Sequence, residues 1–202
     1  KVMVLIKDAS KDKLRGGFYT PKEIADFMLK WAINGNKSMD ILEPSCGDGI
    51  FLQIAKERKI SYHSFTAVEF DEYEYEKAKS IGLENSNLIN DDFHNYCLNT
   101  DDRFDLVIGN PPYIRYQYFS KEQQQLAERI FKKSKLKYSK LTNAWVSFVV
   151  GSSQLLKEKG KIERIKIVCE TLRKTQKDPI IHKDEVESLL KNEIQEEIKK
   201  EI

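Results

Sequence analysis

Cysteine and histidine are scarce in this chain of 202 residues. Its three cysteines are odd in number and share no short spacing: Cys46, Cys97 and Cys169. This pattern excludes a disulfide framework and a zinc site of the usual spacing. The three histidines are equally scattered, which predicts surface or turn positions rather than metal ligation: His63, His94 and His182. No metal site is expected.

Long apolar runs, internal repeats and low-complexity tracts are also missing. No run approaches the roughly 18 residues that a membrane-spanning helix needs, and no secretory signal is visible. A chain of this length can bury one substantial core, so we expect one domain with an appendage. These absences favour a cytoplasmic protein with no membrane partner.

A strong charge bias is missing as well, because the formal net charge is only +2. The distribution is uneven, however. Residues 69–105 contain eleven acidic against three basic side chains, whereas residues 115–140 contain eight basic against two acidic ones. A charge run usually marks a solvated face, but this basic segment also contains aromatic residues, which is typical of nucleic-acid contacts.

The most informative motif present is Asn110-Pro111-Pro112-Tyr113, which follows the apolar residues 106–109. The two prolines remove backbone donors and restrict the turn. An amide oxygen, a backbone carbonyl and an aromatic ring at the end of a buried strand suit a flat ligand that carries an NH2 group. A simple strand-terminating turn would explain the prolines but not the whole tetrapeptide.

A glycine turn and two acidic strand ends precede this tetrapeptide. Residues 40–52 read as a strand, a turn with Gly47 and Gly49, and a helix whose N-terminus can face a ligand. Glu69 ends the next strand, at the spacing that suits ribose hydroxyls. Asp92 and Phe93 follow a third strand and suit an amino-purine ring. Since no lysine-bearing phosphate loop accompanies them, these features predict an adenosine-type cofactor.

Strands alternate with amphipathic segments along the chain. We predict helices over residues 21–33, 50–58, 71–80 and 143–159, the first with Thr20 as its N-cap. Such alternation implies parallel strands, with ligands bound beyond their carboxyl ends. The predicted fold is a Rossmann-like, doubly wound, mostly parallel α/β sheet.

In these motifs and their order, the chain resembles the DNA methyltransferases that use S-adenosylmethionine to methylate adenine N6, of the type whose cofactor-pocket segment precedes the glycine motif. The resemblance covers roughly residues 14–160 and implies a class I methyltransferase fold. It implies catalytic roles for Asn110, Pro111, Pro112 and Tyr113. The cofactor contacts that it implies are Thr20, Glu43, Pro44, Ser45, Cys46, Gly47, Gly49, Glu69, Asp92, Phe93 and Pro112.

The resemblance also implies partners. The substrate would be double-stranded DNA with the target adenine flipped out of the helix, within a restriction-modification or related defence system. A recognition domain or subunit and a restriction nuclease would reside on the same or a partner chain. Beside a base-binding clamp, the basic segment is interpreted as a phosphate-binding surface: Arg115, Lys132, Lys133, Lys135, Lys137 and Lys140.

The resemblance stops after Gly160, so residues 1–160 are interpreted as a partial methyltransferase domain. Residues 161–202 offer one candidate strand (165–169) and an amphipathic helix (184–201) from a remaining or neighbouring segment. The sheet therefore looks incomplete, as in a fragment of a longer protein. Three alternatives stay open: cytosine N4 methylation, protein-glutamine methylation, against which residues 16–28 argue, and an inactive fragment that binds cofactor or a partner.

Overall fold

The computed structural model describes residues 20–33, 38–112, 119–136 and 144–157. Helices and strands alternate through most of this part of the chain. The helices are α1 (Lys22–Ile33), α2 (Ile50–Glu57), α3 (Glu72–Ser80), α4 (Phe93–Asn99), α5 (Lys121–Lys133) and α6 (Ala144–Gln154). The strands are β1 (Asp40–Glu43), β2 (Ser64–Glu69), β3 (Ser86–Asn90) and β4 (Leu106–Val107).

The four strands form one parallel sheet in the order β3-β2-β1-β4. The order reverses at β1, which pairs with β2 on one side and β4 on the other. In sheets of this kind, ligands bind beyond the carboxyl ends of the strands at such a reversal. The topology therefore indicates where the site should lie.

Helices cover both faces of the sheet, because successive strand residues point to opposite faces. Ile41 packs in a core with residues of α1, α2 and α3, whereas the adjacent Leu42 packs in a second core with residues of α4, α5 and α6. The two cores hold large, fully buried side chains such as Phe51 and Ile130. This arrangement confirms the predicted doubly wound α/β fold.

Capping side chains fix where three helices begin. Asp71 accepts hydrogen bonds from the N–H groups of Tyr73 and Glu74 at the start of α3. Ser120 and Gln123 form a reciprocal capping box at the start of α5. Asp92 caps α4 by accepting a hydrogen bond from the N–H of His94. Because α3 and α4 begin shortly after the ends of β2 and β3, their N-termini lie at the carboxyl edge of the sheet.

The chain returns to the sheet after α6. Leu156 forms a parallel bridge with Phe104, next to β4. Lys157 binds the carboxylates of Asp40 (2.7 Å) and Asp105 (2.8 Å), at the amino edge of the sheet. This ion cluster joins β1, the residues before β4 and the segment after α6.

Most of the predicted elements are confirmed, and several bounds need correction. The helix predicted over 143–159 ends at Gln154, since the chain must turn back to reach Phe104. The structure adds α4 and α5, which we did not predict. The strand predicted over 165–169, the helix predicted over 184–201, Cys169 and His182 lie outside the described residues.

The prediction that the histidines lie at the surface or in turns is wrong for His94. Its side chain is fully buried between α4 and α6, whereas His63 is exposed, as predicted. The physical reason is that Asp92 and Ser147 both bind the His94 ring, and these contacts offset the cost of burying a polar group.

Candidate active site

The carboxyl ends of the four strands gather the predicted motifs at one edge of the sheet. Glu43 ends β1, Glu69 ends β2 and Asn90 ends β3. Gly109 and Asn110 come shortly after β4, beyond Ile108. Residues far apart in sequence thus meet where the strand order reverses.

The glycine turn after β1 depends on left-handed backbone angles. Gly47 has φ 55° and Gly49 has φ 86°, values that a side chain disfavours. The turn is held by the N–H of Cys46, which donates to the carbonyl of Val68 at 3.0 Å. A Cβ on Gly49 would also lie 2.7 Å from Cδ1 of Ile81 and 3.1 Å from the backbone Cα of Ala78, so any side chain here would force its neighbours to shift.

Glu69 joins this turn to the start of α3. Its carboxylate accepts hydrogen bonds from the N–H groups of Gly47 and Asp71, each at 2.8 Å. Burial raises the pKa of Glu69, and the two backbone hydrogen bonds only partly oppose this effect. Each carboxylate oxygen has a second lone pair, so Glu69 can accept from ligand hydroxyls as well.

Glu43 is a buried acid beneath the turn. It is 1% exposed, and among the described residues its Oε2 has no hydrogen-bond partner. Burial, followed by the nearby charges of Glu69 and Asp48, raises the pKa of Glu43 well above its ordinary value. Burial likewise raises the pKa of the Cys46 thiol, so Cys46 is a packed neutral residue and no nucleophile. The acidic environment of Glu43 favours a positively charged ligand group.

The tetrapeptide lies against the residues that follow β1. The Oγ of Ser45 donates to the backbone carbonyl of Asn110 at 3.5 Å. A Cβ on Gly109 would lie 3.3 Å from Cδ of Pro44, so the two strand ends are in close contact. The side-chain oxygen of Asn110 and the residue Pro111 are buried, and Pro112 is half-buried. Tyr113 lies outside the described residues.

Asp92 and Phe93 follow β3 and were interpreted as an acid-aromatic pair, but their side chains have different surroundings. The Phe93 ring is buried in the core and stacks on Phe148, with ring centroids 5.1 Å apart. A cofactor contact of Phe93 stays a prediction, and with its ring in the core that contact falls to its main chain. Asp92 is 12% exposed and binds His94 and Gln123.

The Asp92 carboxylate is held in its charged form. Burial alone would raise the pKa of Asp92, but the hydrogen bonds from His94 and Gln123, with the charge of His94, outweigh burial and lower it. Neither His94 nor Gln123 was predicted as a site residue. The capping-box spacing of Ser120 and Gln123 was the available signal for α5.

Some of the remaining predicted contact residues lie in the part of the chain that the structure describes, and others lie outside it. Thr20 is buried just before α1, and its cofactor contact stays a prediction. Lys132 and Lys133 end α5, Lys135 follows it, and all three are exposed. The other predicted phosphate contacts lie outside the described residues: Arg115, Lys137 and Lys140.

No helix in ranges 20–33, 38–112, 119–136 and 144–157 is long and apolar enough to cross a membrane. In the same ranges, no group of three or more His, Cys, Asp or Glu side chains is placed to hold a metal ion.

One protein family and several curated relatives match this chain. The family model described as Eco57I restriction-modification methylase matches residues 22–177. The chain is 29% identical over 149 residues to the type II methyltransferase M.AccI of Acinetobacter calcoaceticus, an alignment that covers 71% of this chain and 26% of that protein. It is 38% identical over 108 residues to the type II methyltransferase M.CvrRI of Paramecium bursaria Chlorella virus XZ-6E, covering 52% of this chain and 27% of that protein.

Among solved structures, the chain is similar to the methyltransferase subunit of a type I restriction-modification system from Streptococcus thermophilus. The TM-score is 0.55 at 21% identity, over 71% of this chain and 33% of that subunit. At this identity the likeness shows the fold. The chain spans about a quarter of the length of the two curated relatives described above.

Proposed function

This chain belongs to the Eco57I restriction-modification methylase family, and from that premise we propose that it forms the cofactor-binding and catalytic part of a DNA methyltransferase. The proposed reaction transfers a methyl group from S-adenosylmethionine to the N6 amino group of adenine in DNA. The buried carboxyl of Glu43 carries the proposal, because its position and its acidic surroundings suit this cofactor.

The donor set fits S-adenosylmethionine. The cofactor carries a sulfonium and an ammonium group, and Oε2 of Glu43 is a buried carboxyl oxygen with no hydrogen-bond partner among the described residues. Glu69 is already oriented by Gly47 and Asp71 and would accept hydrogen bonds from the ribose hydroxyls. Asp92 would accept a hydrogen bond from the adenine amine. When bound, the cofactor supplies an electrophilic methyl group.

The residues after β4 would activate the amine that is methylated. The exocyclic amine of adenine is a poor nucleophile because its lone pair is delocalised into the ring. The side-chain oxygen of Asn110 and the carbonyl of Pro111 would each accept a hydrogen bond from one N–H of this amine, which favours tetrahedral nitrogen and frees the lone pair. Positive charge that develops on the nitrogen would meet oriented dipoles, so no strong base is needed.

The contact between Ser45 and Asn110 supports this arrangement. It joins the loop that would bind the methionine part of the cofactor to the residues that would bind the target base. Tyr113 would stack on the base, which must leave the duplex to reach Asn110. Asparagine at the first tetrapeptide position favours adenine over cytosine.

DNA would lie along the surface that carries Lys132, Lys133 and Lys135. Their exposure and charge suit phosphate contacts, which position DNA without reading its sequence. Sequence recognition would then come from another domain or subunit, and a restriction nuclease is the proposed functional partner.

The test is methylation of DNA by the purified protein, followed by digestion and mass spectrometry. N6-methyladenine is the expected product. Asn110→Ala should retain cofactor binding in calorimetry but lose methyl transfer, because the acceptor acts chiefly in the transition state. Asn99→Ala, an exposed substitution on α4, serves as the control and should keep activity. N4-methylcytosine or methylated protein as the sole product would replace the proposal by one of its alternatives.

A further inference from the structure

A buried hydrogen-bond chain lies behind Asp92. Its Oδ1 accepts from the backbone N–H of His94 at 2.8 Å and lies 2.9 Å from Nδ1 of the same residue. Because a carboxylate only accepts, Nδ1 is the donor in this contact. The Nε2 of His94 lies 2.7 Å from Oγ of Ser147 on α6. The ring is therefore held at both nitrogens.

Aromatic rings fix the same imidazole from its sides. Phe119 and Phe148 contact it edge-on, with centroids 5.8 Å and 4.8 Å away, and the His94 side chain is 1% exposed. A polar ring in such surroundings is costly to bury unless its nitrogens are bonded. Asp92 and Ser147 thus determine the orientation of His94, and His94 in turn holds Asp92.

A second helix holds the other oxygen of Asp92. The Nε2 of Gln123, on α5, donates to Oδ2 at 3.0 Å, while Oε1 of Gln123 accepts from the N–H of Ser120 at 3.1 Å. The amide of Gln123 is therefore oriented by the helix cap. Each oxygen of Asp92 is bound from a different helix, which prevents rotation of the carboxylate.

The two oxygens differ in the acceptor capacity that remains. Oδ1 already takes two donors, the backbone N–H and the Nδ1–H of His94. Among the described residues, Oδ2 takes Gln123 as its one donor, so one of its lone pairs remains for a ligand. The ligand group that matches this lone pair is an N–H donor.

We propose that His94 and Gln123 are positioning residues that aim Oδ2 of Asp92 at the exocyclic amine of the cofactor's adenine, and so make the site selective for a 6-amino over a 6-oxo purine. This inference rests on the proposed function. A 6-oxo group would place a second acceptor against Oδ2, where like partial charges repel. Selectivity would then depend on how firmly the carboxylate is held.

The test compares two product analogues by titration calorimetry with the purified protein. One is S-adenosylhomocysteine, and the other is S-inosylhomocysteine, which has oxygen in place of the amine. The wild-type protein should bind the adenosine compound at least about tenfold more tightly, as expected for one hydrogen bond to a charged group. His94→Leu and Gln123→Leu should each reduce this ratio severalfold.

Two further variants sharpen the comparison. His94→Asn keeps a donor near the position of Nδ1 and should recover part of the ratio. His63→Leu is the matched control, because His63 also binds an aspartate, Asp40 at 2.6 Å, but at the amino edge of the sheet. It should leave the ratio unchanged. If His94→Leu does not fold, Gln123→Leu, at a half-buried helix end, decides the same question.

The outcomes separate this inference from the proposed function. If the variants weaken both compounds equally, His94 and Gln123 are structural and the positioning role is wrong. A wild-type protein that binds both compounds without preference would also overturn the inference while leaving a cofactor site intact. Failure of the wild-type protein to bind either compound would instead reject the proposed function.

Discussion

The carboxylate of Glu69 accepts a hydrogen bond from the N–H of Gly47, 2.8 Å away and 22 residues earlier in the chain. The glycine turn and the acid at the end of β2 are therefore one preformed unit. A ligand that used both would meet groups that are already oriented, which lowers the entropic cost of binding.

Replacing Glu69 should weaken cofactor binding. Glu69→Ala removes the acceptor for ribose hydroxyls and releases the N–H of Gly47, so we expect a loss of about 1.5–3 kcal/mol in binding free energy. Calorimetry with S-adenosylmethionine measures it. Glu76→Ala, which removes an exposed glutamate of α3 paired with Lys79, is the control and should bind normally. Equal affinities of the two variants would remove the ribose assignment.

Alanine at Gly49 should destabilise the fold more than alanine at Gly82. Both glycines have positive φ, 86° and 59°, so both substitutions strain the backbone. Only at Gly49 does the new Cβ also meet Ile81 and Ala78, at 2.7 Å and 3.0 Å, while at Gly82 its nearest contact is Lys56 Nζ at 3.8 Å. The steric difference should amount to about 1–3 kcal/mol in the free energy of unfolding, measured by urea denaturation. Similar losses would mean that the turn can shift.

The protonation of Glu43 should make stability depend on pH. Its pKa is raised well above the ordinary 4.5, so the folded protein retains a proton that the unfolded chain releases above that pH. The free energy of unfolding should therefore fall as pH rises from about 4.5 towards the folded-state pKa. Glu43→Gln should reduce this fall, measured by denaturation at several pH values, whereas Glu84→Gln, an exposed change, should not. An unchanged pH dependence in Glu43→Gln would mean that Glu43 is charged when folded.

Neutralising the basic end of α5 should reduce the salt dependence of DNA binding. The slope of log Kobs against log salt is negative, and each lost phosphate contact should reduce its magnitude by about 0.9. The test variant carries alanine at Lys132, Lys133 and Lys135. A control variant carries alanine at three exposed lysines that pair with acids elsewhere: Lys22, Lys30 and Lys79. Equal slopes in the two variants would place the DNA on another surface.

The parts of the site that depend on local sequence could be predicted. The glycine turn requires residues that tolerate positive φ, and strand-end acids follow from the alternation of strands and helices. Residues 40–52 therefore predicted a strand, a turn and a helix in this order, and α2 begins at Ile50 as predicted. Fold class followed from the same alternation.

The parts that depend on distant contacts could not be predicted in this way. His94 is buried because Ser147, 53 residues later, reaches its ring. Phe93 packs on Phe148, so its ring belongs to the core rather than to the ligand. The helix α5 could have been predicted, because Ser120 and Gln123 have the spacing of a capping box. Its basic residues were interpreted as DNA contacts instead, and the helix was missed.

The ion cluster at the amino edge has a consequence for synthesis of the protein. Lys157 binds Asp40 of β1 across 117 residues. At about 5–20 residues per second, roughly 6–23 s separate the translation of these two residues. The ribosome-bound chain cannot complete this cluster before Lys157 is synthesised. Before Leu106 and Val107 emerge, the edge of β1 that pairs with β4 also lacks its partner strand. The nascent chain therefore exposes a strand edge to which chaperones can bind.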